Sequence, residues 1–136
     1  LVGVIGVPGD RKNELIIRAG EITGRYLDCV YIKEDEELRG RKPGETAALI
    51  EKGLLNSGFS GFYKIIRDEK KALEKALENA LPGDIIVCFY EKEAEKLIQI
   101  IKHGIIEFET RETLDEGNRQ EKIFRLCKIS AGSRKK

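Results

Sequence analysis

Two runs without a single charge, residues 1–7 and residues 85–90, restrict what this chain can fold into more than anything else in it. A strand with one wet face alternates polar and apolar residues, whereas a run that is apolar throughout belongs to a strand covered on both faces. In a single domain this calls for a parallel sheet with helices above and below. The first run ends in Pro8-Gly9. Proline presets φ and glycine supplies the positive φ of a type II turn, so the chain is expected to turn sharply there. Asp10, Arg11 and Asn13 follow, just ahead of a helical pattern. Charged side chains and free helix-start N–H groups therefore meet at the carboxyl end of a central strand, where open α/β sheets place ligands.

The rest of the chain alternates in the same manner. Leu15, Ile16, Ala19, Ile22 and Tyr26 have the spacing of a helix that packs on a sheet, predicting a helix over 13–25. A second strand is expected at 29–32, a charged loop after it, and a helix over 44–56 with Ala47, Ala48, Glu51, Leu54 and Leu55 as its stripe. Residues 62–66 read as a third strand, and Asp68 as the N-cap of a helix striped by Ala72, Leu73, Ala76, Leu77 and Ala80. After the fourth strand, Ala94, Leu97, Ile98 and Ile101 mark a fourth helix that is expected to end at His103-Gly104. Residues 105–110 and 122–129 alternate enough to suggest two further strands, a hairpin or a sheet edge around the polar loop 115–120. The fold expected is α/β: a Rossmann-like open sheet, mainly parallel, with helices on both faces and room for antiparallel strands from the C-terminal segment. Its strands should lie in the order third, second, first, fourth. The turn at 8–11 and residues 90–92 would then flank one crevice, with the charged loop beside it. One domain over 1–129 is expected, with 130–136 as a frayed tail.

Composition narrows the function classes. Charged residues make up 36% of the 136 and nearly cancel, at a formal net charge of +1, which offers no case for nucleic acid or an anionic membrane as partner. Cys29, Cys88 and Cys127 are odd in number and lack C-x-x-C spacing, which fits reduced, buried thiols and a cytoplasmic protein. The apolar N-terminal run is too short for a signal peptide or a membrane span, and an opening on Leu1 in mid-strand reads as a piece of something longer. No G-x-x-x-x-G-K-[ST] occurs, so ATP chemistry would need help from another domain. His103 is the single histidine, near a helix end, and no Ser, His and Asp constellation can be built around it. Gly3, Gly6 and Gly9 recur at intervals of three, not as G-x-G-x-x-G. Yet Glu34 and Asp35 end the second strand, where a Rossmann domain carries its ribose-binding acid, so a dinucleotide-binding domain stays open as an alternative. So does a Rossmann-like interaction module without catalysis. Four acids from Glu34 to Glu37, followed by Arg39, Arg41 and Lys42, make either a solvated loop or a substrate site.

Three blocks then carry a resemblance: Val4-Ile-Gly-Val-Pro-Gly-Asp-Arg, Ile32-Lys-Glu-Asp-Glu-Glu-Leu-Arg-Gly-Arg-Lys-Pro-Gly-Glu, and Pro82-Gly-Asp-Ile-Ile-Val-Cys-Phe-Tyr-Glu. In this order they resemble the C-terminal domain of cyanophycin synthetase, which is similar to the C-terminal, glutamate-ligase domain of the Mur ligases. The likeness covers residues 2–103. Where Mur ligases carry D-N-P-R after the second strand, Asp35 answers the acid, and Arg39 and Arg41 compete for the arginine. Phe89-Tyr90-Glu91 stands where the cell-wall branch has K-G-H-E, in agreement with the cyanophycin branch. The family's D-Y-A-H-N-P segment does not occur in this sequence.

The resemblance implies one domain of an ATP-dependent ligase that joins a carboxylic acid to an amino acid. A carboxylate is phosphorylated to an acyl phosphate, an amino group attacks it, and an amide forms with Mg²⁺ present. The domain would close over a central ATP-binding domain of the same parent chain, which holds most of the ATP and Mg²⁺, and would be inactive alone. It would present an amino acid, arginine in the cyanophycin branch, to a polypeptide-like acceptor. On this reading Asp35, supported by Glu34 or Glu37, faces the cationic group, and Arg39 or Arg41 holds the α-carboxylate. Gly9, Asp10 and Arg11 lie on the ATP side, Tyr90 and Glu91 in the crevice, and no metal ligand is assigned. As loop charges, these residues are expected to matter little for folding.

Overall fold

The computed structural model describes residues 1–90, 92, 94–112 and 123–128, with side chains through residue 103. The elements are β1 (Val2–Ile5), α1 (Asn13–Tyr26), β2 (Cys29–Ile32), α2 (Glu45–Asn56), β3 (Phe62–Ile65), α3 (Glu69–Glu78), β4 (Ile85–Tyr90), α4 (Ala94–Glu112) and β5 (Ile123–Lys128). The strands lie in the order β3-β2-β1-β4-β5, every pair parallel. The two uncharged runs are thus neighbours in the middle, as expected of strands covered on both faces.

Strand alternation divides the interior into two cores. Val2 and Val4 of β1, Tyr31 of β2, and Ile86 and Cys88 of β4 face Ala72, Leu73 and Ala76 of α3 and Leu97 of α4. Ile5, Val30 and Ile32 face the other way, against Ile16 of α1 and Ala47, Ile50 and Leu54 of α2. The period of two continues past the strand ends. Lys33 follows Tyr31 onto the α3 side, and its N–H donates to the Ile5 carbonyl at 2.8 Å, which carries the parallel ladder one residue beyond β2.

Three expectations need correcting. Residues 105–110 are not a strand but the continuation of α4, whose 19 residues run through Gly104 to Glu112. Ile101, Ile105 and Phe108 keep helical spacing, and a single glycine costs only about 1 kcal/mol in a helix, too little to end one. A helix of that length spans about 28 Å and carries the chain back along the sheet, so β5 pairs parallel with β4 instead of forming an antiparallel hairpin. The loop 115–120 and the tail 130–136 lie outside the described residues. Finally, α1 buries Ile16, Gly20 and Thr23, whereas Leu15, Ile22 and Tyr26 of the expected stripe are exposed. Gly20 and Gly53 decide this rotation: a Cβ at Gly20 would strike the Ile50 carbonyl, and one at Gly53 the Ile17 carbonyl. The backbones of α1 and α2 touch where both glycines are, so that face turns inward. No helix among the described residues is long and apolar enough to cross a membrane.

Candidate functional site

The turn after β1 and the loop after β2 form one stitched unit. The Arg11 N–H closes the turn on the Pro8 carbonyl at 3.2 Å. Gly9 does not take the positive φ expected of it, which among the described glycines belongs to Gly40, Gly44, Gly58 and Gly83. Glycine is needed there for a different reason: a Cβ would collide with the backbone carbonyl oxygen of Leu38. Across this contact, Arg41 spends its whole fork on the partner loop and on α2. Its Nε donates to the Gly9 carbonyl (2.7 Å), one terminal nitrogen to the Arg11 carbonyl (2.7 Å) and the other to Glu45 Oε1 (2.8 Å). Arg39, in the left-handed region at φ 51, pairs with Asp10 at 3.0 Å. Arg39 and Gly40 both have positive φ, and the Arg41 N–H returns to the Leu38 carbonyl at 3.1 Å, the features of a type I′ turn. That turn directs both arginines back toward residues 8–11.

Glu34 is buried and works as a cap. Its two oxygens accept from the Gly44 and Ala47 N–H groups at 3.0 Å each, at the start of α2, where Gly44 has no side chain to cap with. A carboxylate on free N–H groups at a helix start is doubly favoured, by hydrogen bonding and by the helix dipole. Glu45 has its own local partners, the Lys42 N–H and Arg41, and these hold its carboxyl below the usual range.

Asp35 completes a buried ionic group that sequence reasoning missed. Lys33 is fully buried; its Nζ bridges Asp35 Oδ1 at 2.9 Å and Glu69 Oε2 at 2.5 Å, tying the end of β2 to the first turn of α3. Burial pulls the lysine pKa down, but the two carboxylates outweigh it and the ammonium is held above its ordinary value. Gly6 makes room for the stem, since a Cβ there would lie 2.7 Å from Lys33 Cε. The second oxygen, Asp35 Oδ2, is buried and has no hydrogen-bond partner among the described residues. Asp35 lines a cleft of about 550 Å³ between residues 34–38, Pro43, residues 67–70 and Lys92. Asp68 caps α3 as expected, accepting from the Lys71 N–H at 2.9 Å.

Of the anticipated site residues, the cleft therefore takes in Glu34, Asp35 and Glu37, along with Lys92, which reaches Glu37 at 3.1 Å. Gly9, Asp10, Arg11, Arg39 and Arg41 form the adjoining stitched wall and do not line it. Tyr90 is half-buried against the core on the α3 side, and Glu91 lies outside the described residues. The signal for Lys33 and Glu69 was present but faint. Register places Gly6 beside Lys33, and a glycine next to a lysine at two strand ends is room for a stem.

Over 100 residues the chain is 42% identical to cyanophycin synthetase of Synechocystis sp., and over 90 residues 41% identical to that of Crocosphaera subtropica. These matches take in 74% and 66% of the chain. The chain belongs with the Mur ligase-like domains of cyanophycin synthetase. A more distant match has the same sense: over 113 residues, 83% of the chain, it is 32% identical to UDP-N-acetylmuramoyl-L-alanyl-D-glutamate–2,6-diaminopimelate ligase of Caldanaerobacter subterraneus subsp. tengcongensis. No family model matches the chain. The chain spans 11% of the Synechocystis protein's length and 22% of the Caldanaerobacter ligase's. In the Mur ligase-like domain, then, the candidate chemistry is concentrated at the carboxyl ends of β1, β2 and β3, on loops held by Arg41, Glu34 and Lys33.

Proposed function

We propose that this domain presents an amino acid to an activated carboxylate in an ATP-dependent amide ligase, and that Asp35 receives the amino acid's cationic group. The observation that carries the reading is Asp35 Oδ2, buried without a partner in a residue that lines an open cleft. A buried carboxylate oxygen left unpaired is costly, and a ligand bearing a positive charge and N–H donors removes that cost. An arginine side chain meets both requirements. Of the two loop arginines, Arg41 is held by Gly9, Arg11 and Glu45, so this reading gives the α-carboxylate to Arg39, in exchange for its pair with Asp10, and assigns Gly9, Asp10 and Arg11 to the ATP side.

In this reading ATP supplies the phosphoryl group that activates the acceptor carboxylate, and phosphate leaves as the amide bond forms. Among the described residues no group of three or more His, Cys, Asp or Glu side chains is placed to hold a metal ion, and the turn at 8–11 is not a lysine-bearing phosphate loop. ATP and Mg²⁺ are accordingly assigned mainly to a central domain of the parent chain. What this chain's own residues do is bind, orient and, on closure, exclude water from an intermediate that water would destroy. A dinucleotide-binding role loses Glu34, one of the two acids at the end of β2 that it rested on, because both its oxygens are engaged by α2.

Two-dimensional NMR of the chain titrated with L-arginine tests the reading. The account expects shifts at residues 35–38 and 67–70; no shift there up to high millimolar arginine would overturn it. The same chain is expected to turn over no ATP.

A further inference from the structure

We propose that Glu69 sets the cleft's preference for a cationic ligand, acting through Lys33 on Asp35; this rests on the reading of the cleft given above. The rim charges cancel. Among the described residues Glu36, Glu37 and Asp68 stand against Arg67, Lys70 and Lys92, three of each sign, while the Glu34 carboxylate is turned onto the N–H groups at the start of α2. The imbalance comes from the Lys33 group, where the Asp35 and Glu69 carboxylates, both lining the cleft, share the single buried ammonium and leave one negative charge in excess. Lys33 cannot move to serve Asp35 alone. Its Nζ is held at 2.5 Å by Glu69 and its stem is wedged over Gly6. Without the Glu69 charge, Lys33 and Asp35 would form a neutral pair, and the negative charge in excess beside Asp35 Oδ2 would be gone. With it, Asp35 Oδ2 keeps its negative character while Oδ1 is fixed in place. Glu69 is thus a specificity-determining residue, and Lys33 the positioning residue through which it acts.

The experiment compares L-arginine with L-citrulline, a near-isosteric amino acid whose side chain is neutral, by calorimetric or NMR titration of the chain. The wild-type chain is expected to prefer arginine by about tenfold or more, and Glu69→Gln, which keeps the hydrogen-bonding shape and drops the charge, to bring the ratio of dissociation constants within about twofold of unity. Glu69→Asp, which keeps the charge, should retain the preference. Circular dichroism confirms folding of each variant, and Glu69→Thr takes the place of Glu69→Gln should the latter not fold. A preference that survives loss of the Glu69 charge in a folded variant overturns this inference and leaves the amino-acid site standing. A wild-type chain that binds neither amino acid overturns the reading of the cleft itself, and the inference with it.

Discussion

Arg39 and Arg41 are two residues apart in one loop, yet their surroundings give them different duties. Arg41, with three hydrogen bonds to two backbone carbonyls and Glu45, holds two loops and a helix together. Arg39 forms an ion pair with the half-exposed Asp10. Replacing Arg41 by Lys removes the planar fork and is expected to lower stability by about 1–3 kcal/mol, whereas Arg39→Lys should cost under about 1 kcal/mol. Urea unfolding of both variants checks this, and equal midpoints would contradict it. The expectation that loop charges hardly affect folding is therefore kept for Arg39 and revised for Arg41. Sequence could not separate them, because which arginine reaches a carbonyl depends on the left-handed turn at Arg39 and Gly40. Lys33→Met would strand two carboxylates at the cleft and should cost roughly 3–5 kcal/mol. The lysine's pH signature is on the alkaline side. A folded-state pKa raised above the ordinary 10.5 contributes stability that is complete below that value and lost as pH rises through the folded one. Cys29 and Tyr31, both raised first of all by burial, act with the same sign from their ordinary 9.0 and 10.0. The unfolding midpoint should therefore fall as pH climbs past about 9, with no pH dependence from these three groups near neutrality.

The elements follow from the pattern wherever pattern and packing agree. β1, β2, β4 and α3 lie where apolar runs, alternation and the Asp68 cap put them. α1 departs because hydrophobicity alone chose its inward face, while a seam of glycines against α2 chose another. Gly53→Ala would drive a methyl group into the Ile17 carbonyl and is expected to destabilise by about 1–3 kcal/mol, since both contacting groups are backbone and neither can rotate away. α4 departs because 105–110 fits two periods at once, and the period of the preceding turns prevails. The sheet also grades stability from centre to edge. β1 and β4 are flanked on both sides, whereas β3 is an edge strand with Phe62 and Ile65 exposed. Hydrogen exchange should be slowest in β1 and β4, close to global unfolding, and faster in β3. Slowest exchange in β3 would contradict the arrangement.

At the scale of the whole molecule, a parallel sheet gathers three strand ends on one side, and the loops there serve both fold and cleft. This made the region legible in the sequence. The charged loop follows a strand, and strand ends are where such folds bind ligands. Which loop charges remain available was not legible, because Glu34 is claimed by a helix ten residues on and Lys33 by a helix still further along. The central claim is that Asp35 holds the cationic group of the amino acid. Its most direct test is the apparent KM for that amino acid in the intact ligase carrying Asp35→Ala. Losing a charge-assisted contact in a closed site should raise KM by a factor corresponding to about 2–5 kcal/mol, while KM for ATP stays near that of the wild type. An amino-acid KM within about twofold of wild type, only ~0.4 kcal/mol, would show that Asp35 does not hold the substrate.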